Sequence, residues 1–114
     1  MLGIDIVDIE RIKKIYHRHG QLFLEKILDD KEIKDLLLKE DCHFFKTLSC
    51  YIASKEAIFK ACSEENFDWK DISIRNITKA PSIYIKRPDF KKKIRLTLAV
   101  EKEIVLSQAL IVHH

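Results

Sequence analysis

The sequence predicts an α+β domain, a mainly antiparallel sheet packed against helices. Period-two alternation in "LGIDIV" at the start gives way from Ile9 to helical spacing. After Asp68 the chain turns β-rich, and "IRLTLAV" alternates cleanly before "EKE" leads into "IVLSQALIV". The chain has 114 residues, so residues 1–114 form one domain.

The first strand carries Leu2, Ile4 and Ile6 on its buried face and Asp5 on the other. A helix follows through Ile9, Ile12, Ile15 and Tyr16, and Gly20 stops it. "QLFLEKIL" is a helical turn or two, and Asp29 with Glu32 has the spacing of a capping box opening the next helix. "HFFKTLSCYIASKEAIFKAC" is the longest helical pattern and ends at "SEEN". "DISIRNI" and "SIYIK" are strands on either side of "TKAP", and the last two strands form a hairpin. All strands are expected in one sheet. "ALIV" is apolar on both faces, which a small single-sheet domain covers by packing against other subunits.

Composition excludes several classes. Hydrophobic residues make up 46% and charged residues 34%, as in a soluble globular chain. No run reaches the about 18 apolar residues of a membrane span, and the N-terminus has acids within its apolar run and no basic leader. The three cysteines are odd in number and lack CxxC spacing, which fits a reducing cytoplasm better than a disulfide or zinc framework. A net charge of +3 does not imply nucleic acid but allows a basic patch for an acidic partner. Neither a GxGxxG nor a phosphate-binding P-loop is present. His17, His19 and His43 lie on charged helical segments and are expected in solvent; His113 and His114 are read as a frayed or added end.

Glu56 is the anomaly. It falls within the apolar stripe Phe45, Leu48, Ile52 and Phe59, one turn before Lys60. An exposed ion pair with Lys60 would account for the pair but not for its place in the stripe. A carboxylate withdrawn from water needs a cation, several donors or a metal. Asp5 is open to two readings: a solvated strand carboxylate, or a metal ligand if it faces the long helix. In the second, two carboxylates without His or Cys favour Mg²⁺ with phosphate oxygens completing its shell, and Lys60 is a phosphate ligand.

"GIDIVDIERI", "FLEKILDDKE" and "SKEAIFKA" occur in this order and resemble the holo-[acyl-carrier-protein] synthases, small bacterial 4′-phosphopantetheinyl transferases. The resemblance covers roughly the first 75 residues well, up to "DWKDISI". It implies Mg²⁺-dependent transfer of 4′-phosphopantetheine from coenzyme A to a serine of an acyl carrier protein, with release of adenosine 3′,5′-bisphosphate. It also implies a cytoplasmic homotrimer with sites between neighbouring subunits and a role in fatty acid biosynthesis. Asp5 and Glu56 match the metal carboxylates, and Glu56 and Lys60 the catalytic positions. Lys60, Lys55 and Arg95 stand as coenzyme A contacts. Arg11, with Lys13, Lys14 and Lys26, forms the carrier-protein surface.

The departures concern the nucleotide. Where the family has a Gly-x-Gly loop the chain reads "CSEENF", and its glycine-proline turn is Ala80-Pro81. In the strand where the family carries a histidine, only Thr97 keeps a hydroxyl, and Val100 cannot do the work of an imidazole. A non-catalytic relative that keeps the fold and carrier binding is the alternative reading.

Overall fold

The computed structural model describes residues 1–112, so the reading of His113 and His114 lies outside the described residues. Strand β1 (Leu2–Asp8) runs into α1 (Ile9–His19), followed by α2 (Gln21–Ile27), α3 (Asp30–Leu37) and the long α4 (Asp41–Ala61). A 3₁₀ turn (Trp69–Asp71) leads into β2 (Ile72–Arg75), then β3 (Ser82–Ile85), β4 (Lys93–Glu101) and β5 (Ile104–Val112). The helix boundaries follow local chemistry. The Asp8 carboxylate caps α1 by accepting from the Glu10 amide, and Gly20 closes the helix at φ 58°. Asp29 and Glu32 make the expected capping box on α3.

The strands form two antiparallel sheets, not one: β1-β5-β4 and the pair β2-β3. The reason lies in a backbone donor. The Ile74 amide on β2 donates to Glu32 Oε2 at 2.8 Å, so a buried carboxylate takes the place of a further strand.

The face assignment of β1 is also the reverse of expectation. Gly3, Asp5 and Val7 face α4, while Ile4 and Ile6 are 47% and 65% exposed. Gly3 forces this. A Cβ there would lie 2.0 Å from the Ala57 carbonyl oxygen and 2.6 Å from the Ala61 nitrogen. The buried alanines at 53, 57 and 61 complete a smooth helix face on which the strand lies close. Because strand parity is two, fixing Gly3 inward fixes Asp5 inward and turns the isoleucines out.

Under α3 lies a polar knot. Asp29 Oδ1 accepts from the Glu32 amide at 2.8 Å, and Oδ2 accepts from Lys86 Nζ at 2.8 Å and from the Ser73 hydroxyl. Burial pushes the Asp29 pKa up, but the bonds from Lys86, Ser73 and the Glu32 amide outweigh it and hold it at about 2. A depressed carboxyl contributes stability that is present above its unfolded pKa, near 3.8, and is lost as pH falls toward 2. This group therefore contributes about 2 kcal/mol above pH 4. Asp29→Asn is expected to flatten the decline of urea-unfolding stability between pH 4 and 2; an unchanged slope would count against this assignment.

Candidate functional site

The carboxylates of Asp5 and Glu56 come together where β1 crosses α4, at the polar end of a cleft of about 210 Å³. Asp8 and Arg11 also line that end, and Phe23, Ile27, Ile52 and Trp69 form apolar walls. Asp5 Oδ1 accepts from Lys60 Nζ at 3.0 Å, and the same ammonium donates to the Ile4 carbonyl at 3.0 Å. Asp5 Oδ2 is buried and has no hydrogen-bond partner among the described residues. Burial raises the Glu56 pKa, and the Asp5 charge and a hydrogen bond to Asp5 raise it further; Lys60 and Arg11 oppose this. A hydrogen bond between the two acids needs a proton on one of them; with both ionised, Oδ2 has no donor.

A divalent cation fits this arrangement. An orphaned carboxylate oxygen, a second acid that ionises reluctantly and the absence of sulfur or imidazole from the pair together describe a hard-oxygen site. The anomaly of Glu56 is thereby resolved: it interrupts the stripe to meet Asp5, and Ile52 of the same stripe walls the same cleft.

Of the expected basic residues, Arg11 and Lys60 join the site. Lys13 is exposed, with its ammonium 5.7 Å from the Phe45 ring centre, and Lys14 and Lys26 are exposed on α1 and α2. Lys55 requires correction as a coenzyme A contact. It is fully buried behind the cleft, with its ammonium 2.7 Å from Glu32 Oε1. Burial drives Glu32 up and Lys55 down in pKa, each opposed by the other's charge. Arg95 is also not beside Asp5: in the register Asp5–Ser107–Leu98, Arg95 falls on the opposite face of the sheet, two strands away.

The "CSEEN" loop is more compensated than its two acids suggest. Asn66 takes the left-handed conformation at φ 54° that a glycine would adopt easily. Arg87 Nη1 donates to the Glu65 carbonyl at 3.0 Å, and Lys92 Nζ lies 3.8 Å from the Glu65 carboxylate. Sequence reasoning missed Arg87 and Lys92, which lie more than twenty residues further along the chain. It also missed Trp69, Phe23 and Ile27; only their apolar character marked them.

The 4′-phosphopantetheinyl transferase superfamily model matches residues 1–109. A holo-[acyl-carrier-protein] synthase of Thermodesulfovibrio yellowstonii is 36% identical over 107 residues, covering 93% of this chain and 92% of the relative. One from Chlamydia muridarum is 32% identical over 111 residues, covering 95% and 82%. The structure is similar to that of the Helicobacter pylori holo-[acyl-carrier-protein] synthase in complex with coenzyme A. The TM-score is 0.83 at 27% identity, over 98% of this chain and all of that one. The Plasmodium yoelii enzyme gives 0.74 at 29% identity, over 96% and 91%. A motif-bearing β1–α4 crossing, the fold around it and these likenesses agree: the chain belongs to the 4′-phosphopantetheinyl transferase superfamily, among the holo-[acyl-carrier-protein] synthases.

Proposed function

We propose that this enzyme transfers 4′-phosphopantetheine from coenzyme A to a serine of an apo acyl carrier protein, with Mg²⁺ held by Asp5 and Glu56. The observation that carries the proposal is the buried, partnerless Oδ2 of Asp5 facing a half-buried Glu56 beside Lys60. The serine oxygen attacks the β-phosphorus, the bond to the bridging oxygen breaks, and adenosine 3′,5′-bisphosphate leaves. The serine proton passes to a base, for which Glu56, in the cleft lining with a raised pKa, is the candidate. When bound, the metal neutralises charge on the splitting pyrophosphate. Lys60 uses two of its three N–H donors on Ile4 and Asp5 among the described residues, and its side chain is 55% exposed, which suits it to a phosphate oxygen. The proposal includes a homotrimer, a cytoplasmic setting and service to fatty acid biosynthesis. Within the described residues, no helix is long and apolar enough to cross a membrane.

Incubation with coenzyme A, Mg²⁺ and apo carrier protein, read by intact mass, tests the reaction. A gain of one phosphopantetheine that EDTA abolishes is expected; no gain on any apo carrier overturns the proposal. The acidic carrier docks on α1 and α2 through Arg11, Lys13, Lys14 and Lys26. Arg11→Glu is therefore expected to slow carrier association and flatten its salt dependence. Affinity unchanged at both low and high salt would rule out this surface.

A further inference from the structure

Lys55 lies next to Glu56 in sequence but on the far side of the cleft wall, and its ammonium is fully engaged. Its three N–H donors meet the Ile27 carbonyl at 2.8 Å, Glu32 Oε1 at 2.7 Å and the Trp69 carbonyl at 3.1 Å. Ile27 is the last residue of α2 and Trp69 the first of the 3₁₀ turn, and both wall the Asp5–Glu56 cleft. One side chain of α4 thus ties together two cleft walls that are 42 residues apart in the chain (69 − 27), without lining the cleft itself.

We propose that Lys55 is a positioning residue: from behind the cleft it sets the spacing of the Ile27 and Trp69 walls and the rotation of α4 that aims Glu56 at Asp5. The proposal rests on the transferase reading for its effect on rate, but not for its effect on structure. Stability alone is a poor reason for this lysine. A buried ion pair replaced as a unit by neutral groups of similar volume often costs nothing, because two desolvation penalties disappear with the attraction. What a neutral pair cannot replace is a cation that takes a carbonyl from each wall. A helix C-terminus such as that of α2, with its unpaired carbonyls, is also where a cation binds favourably.

The chain supplies its own probe. Trp69 is the only tryptophan, and its ring stands edge-on to Phe59 of α4, with centroids 4.9 Å apart. Its emission therefore reports the position of one cleft wall whether or not the protein is catalytically active.

The test compares the full chain with Lys55→Met/Glu32→Gln, which removes both charges and preserves bulk. The double variant is expected to unfold cooperatively in urea at a lower midpoint, because Glu32→Gln keeps one oxygen for the Asp29 and Ile74 amides and Lys55→Met leaves the Ile27 and Trp69 carbonyls without a donor. Its Trp69 emission should shift to longer wavelength and be quenched more readily by acrylamide. Its kcat for carrier modification should fall about 10²-fold, the cost of displacing reacting groups by an ångström or so, with KM for coenzyme A changed much less. Lys55→Gln is the second variant should the double one not fold: it keeps a donor for Glu32 but is too short to hold both carbonyls, and the same readouts judge it. A folded variant with unchanged Trp69 emission and quenching overturns the proposal, whatever its activity. A parent protein without transferase activity removes the proposed function but leaves the Trp69 comparison to decide the role of Lys55.

Discussion

Alanine at Asp5 or at Glu56 is expected to lower Mg²⁺-dependent carrier modification by roughly 10³-fold. A divalent ion stabilises developing phosphoryl charge by several kcal/mol, and each 1.4 kcal/mol is about tenfold in rate. Neither carboxylate can substitute for the other, since they come from different elements and approach the cleft from different sides. The fold should survive both changes, because the metal-free protein gains nothing from holding these acids together. Burial and the Asp5 charge raise the Glu56 pKa. For a raised carboxyl the stabilising form is the protonated one: full stability holds below its unfolded pKa of 4.5 and is lost as pH rises through the folded value. Without metal, Glu56→Gln should therefore be more stable than the parent at pH 7 and equal to it near pH 4, while losing activity. Added Mg²⁺ should raise the melting temperature of the parent and not that of the variant. Full activity in Glu56→Ala would refute the metal assignment, and a variant less stable than the parent at pH 7 would refute the electrostatic account.

Much of this site was legible in the sequence, and the limits have identifiable causes. Glu56 stood out because a carboxylate in an apolar helical stripe breaks a period, and Asp29 with Glu32 because a capping box has fixed spacing. The face of β1 was misread because hydrophobicity pointed to Ile4 and Ile6, whereas the decisive signal was the one glycine in the strand. Gly3 admits the α4 backbone where any side chain would collide, and that contact outranks the transfer energy of exposed isoleucines. Lys55 was misplaced for a related reason. Lysines are rarely fully buried, and its partners Ile27, Glu32 and Trp69 lie 14 to 28 residues away along the chain. Glu32 similarly appeared as a cap only, while its second oxygen closes the edge of β2. Pairings of this kind depend on tertiary approach, which local periodicity does not encode.

Those same outward isoleucines lead to the second large effect: Leu110→Glu is expected to dissociate the proposed homotrimer. In the described chain the three-stranded sheet has α4 on one face only. Its other face presents Leu2, Ile4 and Ile6 from β1 and Ile104, Leu106 and Leu110 from β5, each between 41% and 65% exposed. Leu2 and Leu110 are direct cross-strand partners, so their side chains lie together on that face. Fully burying one such side chain contributes about 1.5–3 kcal/mol, and six on each protomer form a patch large enough to hold subunits together. A glutamate at Leu110 takes apolar area out of the patch and brings a carboxylate into it, a cost of several kcal/mol per buried ion that the cross-strand Arg95 offsets only in part. The parent should sediment as an oligomer at micromolar concentration and Leu110→Glu as a monomer with the same helical circular dichroism. Activity should fall with assembly, because the proposed sites lie between neighbouring subunits and Arg95 occupies the same outer sheet face, out of reach of Asp5 in its own chain. Leu38→Glu supplies the control: Leu38 is 77% exposed at the end of α3, away from the sheet, and its replacement should leave assembly intact. A parent that sediments as a monomer at micromolar concentration would remove the trimer from the proposal, and the outer face would then need another partner.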